Sequence, residues 1–158
     1  MNRISRRFSL VIFLALVCGG LSGCGLAKKT RSLFGGTLPL RIEVASTVNH
    51  NSPLAVDVLV VYQKSFLTKM LELPARDYFS RREQLRRDYP DDYDVWSWEW
   101  VPGQEPLDLE LNFRMGIESA VVFADYLDAG AHRVRLEPRK RQRLLFEENG
   151  FRVEEIEP

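Results

Sequence analysis

Nine residues, Leu54 to Tyr62, narrow the fold more than any others in the chain. They carry valine at 56, 58, 60 and 61 and one charged side chain, Asp57. Branching at Cβ stiffens a residue and suits it to extended backbone, and an apolar run this short reads best as a strand buried on both faces. After Gln63 the apolar period changes. Phe66, Leu67, Met70 and Leu71 fall at helical spacing, and Tyr78, Phe79, Leu85 and Tyr89 continue it among many arginines. Two short helices separated near Pro74 are expected.

Period two governs the remainder of the chain. Upstream, Leu40, Ile42, Val44 and Ala45 alternate with Arg41 and Glu43 in a strand beginning at Leu38, and Asn49-His50-Asn51-Ser52-Pro53 breaks it with turn formers. Downstream, Pro90 and the acidic Asp91-Asp92-Tyr93-Asp94 end the helical stretch as a solvated loop. Trp96, Trp98 and Trp100 then share one side of a strand, which Pro102-Gly103 turns. Leu107, Leu109, Leu111 and Phe113 alternate with polar residues, and Ile117 to Tyr126 reads as a second amphipathic strand. His132 to Leu136 is shorter. Leu144 to Glu147 pairs with Phe151 to Ile156 across Asn149-Gly150, a favoured two-residue hairpin turn. The expectation is a mainly β sandwich of seven or eight strands over residues 38–158, with a helical insertion between the second and third strands. There is no internal repeat and no βαβ alternation, which argues against a nucleotide-binding parallel sheet.

The first residues address the chain to a compartment. Arg3, Arg6 and Arg7 precede an apolar run from Phe8 to Val17, too short to span a bilayer, where roughly 20 apolar residues are needed. Leu21-Ser22-Gly23-Cys24 then looks like a lipobox, at which a bacterial lipoprotein is diacylated on the cysteine sulfur and cut before it. Residues 1–23 are expected to be a signal peptide, and 24–37, with Lys28, Lys29, Arg31 and Gly35-Gly36, a tether. The expected prosthetic chemistry is diacylglycerol and an N-acyl chain on Cys24, with no cofactor. Removal of the signal leaves 19 basic and 22 acidic residues, a balance that does not suggest nucleic acid as a partner. With Cys18 removed and Cys24 lipidated, the folded domain has no thiol and must rely on its core.

No catalytic constellation emerges. His50 and His132 have no cysteine or second histidine at ligand spacing, and Asp91, Asp92 and Asp94 lack the glycine and closing glutamate of a calcium loop, so no metal is expected. There is no nucleophile elbow and no glycine-rich loop after a strand. The three tryptophans admit a sugar-stacking surface or a packed strand face, the latter being commoner for such strict alternation. The arginines at 76, 81, 82, 86 and 87, and those around Arg139-Lys140-Arg141 and Arg143, read as solvated surface. A lipid-anchored binding protein is the expectation, and an enzyme is not.

Taken in order, Asn49, Ser52-Pro53, the Val56–Gln63 strand, Phe66, Asp77-Tyr78-Phe79, Val101-Pro102-Gly103-Gln104, Ala120 to Tyr126 and Ala131-His132-Arg133 resemble the TssJ family of type VI secretion lipoproteins (SciN/VasD-like), over residues 40 to 136. The resemblance implies a transthyretin-like (Ig-like) sandwich. It also implies a role in tying the periplasmic domain of an IcmF/TssM-like inner-membrane subunit to the outer membrane, on whose periplasmic face the lipid would hold the protein. Gly25 in place of aspartate after Cys24 agrees with outer-membrane sorting. The loop between the first two strands contributes to that grip in the family, which implies Asn49, His50, Asn51, Ser52 and Pro53 as partner-binding residues. Here the loop is reduced to those five, and His132 stands where the family commonly has tryptophan. Two alternatives stay open: a binding module of another envelope system, and a carbohydrate-binding lipoprotein.

Overall fold

The computed structural model describes residues 35–157, so the expected signal peptide, Cys24 and tether residues 24–34 lie outside the described residues. Eight strands form two four-stranded sheets: β1 (Gly36–Val44), β2 (Leu54–Val61), β3 (Tyr93–Trp100), β4 (Leu107–Phe113), β5 (Ser119–Ala124), β6 (Arg133–Leu136), β7 (Gln142–Phe146) and β8 (Phe151–Glu155). The orders are β4-β1-β7-β8 and β3-β2-β5-β6. All pairings are antiparallel except β1 with β7. A one-turn segment, α1 (Val48–Asn51), precedes β2, and the helices α2 (Lys64–Glu72) and α3 (Ala75–Asp88) lie between β2 and β3. The expected sandwich with its helical insertion is observed, and so is the break at Pro74.

The valine run explains the layering. Val56, Val58 and Val60 face the other sheet and pack with Leu38, Leu40, Ile42, Leu111, Leu144 and Phe146. Leu59 and Val61 face the opposite way, where Phe66, Leu67 and Met70 of α2 and Ala75, Tyr78 and Leu85 of α3 cover them. A side chain of this size contributes about 1.5–3 kcal/mol when fully buried, so β2 ties both layers together. Asp57 shares the helix-facing side and is fully buried. The Tyr78 hydroxyl donates to its Oδ2 at 2.7 Å, Arg82 stands 3.9 Å away, and Oδ1 has no partner.

Four expectations shift. β1 starts at Gly36, two residues before Leu38, and a Cβ on Gly36 would meet the Phe113 ring of β4 at 2.6 Å. Pro39 is tolerated within β1 because pairing with β7 begins only at Leu40. Tyr93 and Asp94 belong to β3, not to a loop: Tyr93 stacks on Phe66 with centroids 4.7 Å apart, and Asp94 accepts the Tyr62 hydroxyl at 2.5 Å. β5 is buried on both faces, so it resembles β2 rather than an amphipathic strand. The last hairpin turns one residue early. Phe146 pairs with Phe151 and the Glu147 amide donates to the Gly150 carbonyl, which puts Glu148 and Asn149 at the centre with no positive φ. The Pro102-Gly103 turn is as expected: the Gln104 amide bonds Val101 O at 3.2 Å, and Gly103 supplies the φ of +69° that a type II turn requires.

Candidate partner-binding site

Strand direction decides which loops meet. β1 and β7 run parallel while β4 opposes β1, and β3 and β5 both oppose β2. Loops 45–53, 101–106, 125–132 and 147–150 therefore emerge at one end. Gly36, where the chain joins the sheet, lies at the other. Backbone bonds join the loops across both sheets: Gly103 N to Ala45 O at 3.2 Å, Ala45 N to Phe146 O at 2.9 Å, and Asp125 N to Ala55 O at 2.9 Å.

The Asn49–Pro53 segment folds as a left-handed turn. Asn49 (φ 47°, ψ 45°), His50 (φ 55°, ψ 45°) and Asn51 (φ 60°) are consecutive left-handed residues. An L-residue ordinarily loses about 1–2 kcal/mol in that region, and asparagine tolerates it best because its short amide bonds locally. Here the amide of Asn49 is buried and bonds in both directions. Its Nδ2 donates to Pro53 O at 2.9 Å, and its Oδ1 accepts the Leu127 amide at 2.8 Å. Asn49 thus closes its own loop and bolts it to the β5–β6 loop. His50 lies outside that bolt. Its Nε2 donates to Asp128 Oδ2 at 2.7 Å, and its Nδ1 is 3.7 Å from Glu148 of the β7–β8 turn.

Of the five residues expected to bind, His50, Asn51 and Pro53 are exposed, Ser52 is half-buried and Asn49 faces inward. The structure adds neighbours from the β5–β6 loop and the β7–β8 turn. The Tyr126 hydroxyl donates to Gly150 O at 2.6 Å, and burial raises its pKa above the ordinary value. The His132 ring lies 4.8 Å from the Tyr126 ring and donates from Nε2 to Asp128 O at 3.0 Å. A cleft of about 200 Å³ opens beside it against Pro74 and Ala75. Leu127 is 62% exposed between these contacts. Tyr126 and His132 stand among the residues that carry the family resemblance, but nothing in the sequence says where the 127–131 segment between them will dock.

The other sequence candidates go to packing and surface. Trp100 is 3% exposed and stacks on Trp98 at 5.6 Å between centroids, and Trp96 and Trp98 are half-buried against the sandwich core. Their common side therefore faces inward, which removes the surface a sugar would stack on. Arg86 pairs with Glu83 on α3, Lys140 with Glu155, and Arg143 with Glu43 and Glu154. The exposed pairs among them, Arg86–Glu83 and Lys140–Glu155, contribute little to stability. Among the described residues, no group of three metal-ligating side chains converges and no helix is long and apolar enough to cross a membrane.

No family model and no curated protein matches the chain in sequence. Solved structures match it in shape. The type VI secretion lipoprotein TssJ1 of Pseudomonas aeruginosa superposes with a TM-score of 0.64 at 12% identity, over 78% of this chain and 98% of that one. Serratia marcescens Lip, a membrane-bound component of the type VI secretion system, gives 0.58 at 16% identity over 78% and 99%. A chain in the structure of the TssM C-terminal domain from EAEC gives 0.54 at 16% identity over 78% and 99%. With 78% of this chain and nearly the whole length of those proteins matched, the domain has the transthyretin-like fold of the TssJ lipoproteins of type VI secretion.

Proposed function

We propose that this chain is a lipid-anchored structural component of a type VI secretion membrane complex, which grips the periplasmic domain of an IcmF/TssM-like subunit and holds it to the outer membrane. The observation that carries this reading is the placement of the β1–β2 loop. It stands at the end opposite Gly36, braced by Asn49 and His50 against two neighbouring loops. Loops held on a rigid scaffold are suited to recognition. The lipobox at Cys24 supplies the other end of the tether. One acyl chain binds a membrane marginally, whereas each added chain contributes about 0.8 kcal/mol per buried methylene. A binding role, not a catalytic one, follows from this division of labour.

Two experiments test it. The periplasmic domain of the IcmF-like subunit from the same source should co-purify with the chain, and a failure to do so would sink the proposed role. Fatty-acid labelling should be lost in Cys24→Ser, and equal labelling of the variant would refute the anchor.

A further inference from the structure

Charge is segregated along the chain. The helical layer, residues 64–88, has seven lysines and arginines against four acids. The four loops at the far end have Glu105, Asp125, Asp128, Glu147 and Glu148 and no lysine or arginine of their own; among the described residues, the one helical cation that reaches them is Arg76, at the start of α3, which donates to the Leu127 carbonyl at 3.4 Å. Some of that charge is met locally: His50 faces Asp128 and Glu148, and Arg152 of β8 pairs with Glu147. Glu105 and Asp125 are exposed and have no basic partner among the described residues. The exposed apolar side chains cluster with this charge. Leu127, Val101 and Leu107 lie at the loop end, and Met115 alone among the large ones lies at the other. Leu127 stands beside the exposed Pro53, since the Asn49 amide bonds both backbones.

From this placement we infer that the loop end is a docking surface for a positively charged protein surface, with Leu127 as its apolar anchor and Glu105 and Asp125 as steering charges. The inference rests on the reading above and names what the IcmF-like domain must present: lysines and arginines around a small apolar recess. Geometry and sign agree. β1 separates the loops from Gly36 by about 26 Å at a rise of roughly 3.3 Å per residue. An acidic end is repelled by anionic phospholipid, so the loops point away from the membrane to which a lipid at Cys24 would hold the chain. Nucleic acid is excluded by the same sign. Complementary charge of this kind raises the rate of encounter, while a desolvated apolar contact slows release.

The test uses full-length lipoprotein in detergent micelles and, as probe, the periplasmic domain of the IcmF-like subunit. Glu105→Lys with Asp125→Lys should slow association by about tenfold at low ionic strength, and the difference from wild type should shrink at high salt. Leu127→Asp should speed dissociation by about tenfold or more. Glu118→Lys, at the opposite end, is the control and should bind as wild type does. All these side chains are exposed, so melting temperatures should stay level. If wild type captures the domain and the reversal variants bind equally well, the inference falls and the proposed function stands. If wild type captures nothing, both fall.

Discussion

The Asn49 bolt makes a demanding prediction. In Asn49→Ala, the Leu127 amide and the Pro53 carbonyl both lose their partner, at distances that are now 2.8 and 2.9 Å. A buried polar group left unsatisfied costs about 1–3 kcal/mol, and alanine is less comfortable than asparagine at φ 47° by roughly 1 kcal/mol. The expected loss is about 3–7 kcal/mol, or about 2–4 kcal/mol if water reaches one of the two groups. With a urea slope of about 2 kcal/mol per molar, the unfolding midpoint should fall by about 1.5–3.5 M, or about 1–2 M in the hydrated case. Asn49→Gly separates the causes. It relieves the backbone but restores neither bond, so it should recover only about 1 kcal/mol of the loss. Urea unfolding followed by circular dichroism measures both variants. An alanine variant within about 0.5 kcal/mol of wild type would show that the bolt adds nothing, and the account of a braced loop would fail.

Three further outcomes follow from the core. Tyr78→Phe removes the hydroxyl that bonds the buried Asp57 and should cost about 2–3 kcal/mol, read as a lowered melting temperature; an unchanged one would mean that the carboxyl has another partner. Burial raises the pKa values of Tyr62, Tyr78, Tyr93 and Tyr126, so the folded state holds their protons more tightly than the unfolded chain does. Stability from them is complete below pH 10.0, the ordinary value, and should fall as pH rises above it. Urea midpoints that do not change between neutral and strongly alkaline solution would contradict this. Trp100→Phe should remove the most blue-shifted, quencher-resistant part of the fluorescence, whereas red-shifted emission from wild type would put the indoles back on the surface.

The strands were readable because each has one dominant cause: side-chain alternation for β1 and β4, and branched apolar runs for β2. β5 reads as amphipathic because its polar flanks, Glu118 and Asp125, lie just outside the six buried residues. The hairpin slipped by one residue because the closing pair is set by Phe146 meeting Phe151, and that packing outweighs the preference of Asn149-Gly150 for the turn centre. At the loop end, the sequence pointed to Asn49–Pro53 but not to the inward direction of Asn49. Two asparagines flanking a histidine are compatible with left-handed backbone, yet only the fold brings Leu127, Asp128 and Glu148 within reach, 78 to 98 positions along the chain.

β1 also has a mechanical meaning. It begins at Gly36, runs the length of its sheet, and is hydrogen-bonded to β4 on one side and to β7, in the same direction, on the other. A pull on the chain ahead of Gly36, resisted at the far loops, acts along the strand axis. The ladder bonds on both flanks then slide together and share the force, where a peeling geometry would break them one by one. The sheet is thus loaded in shear, the direction in which it yields last.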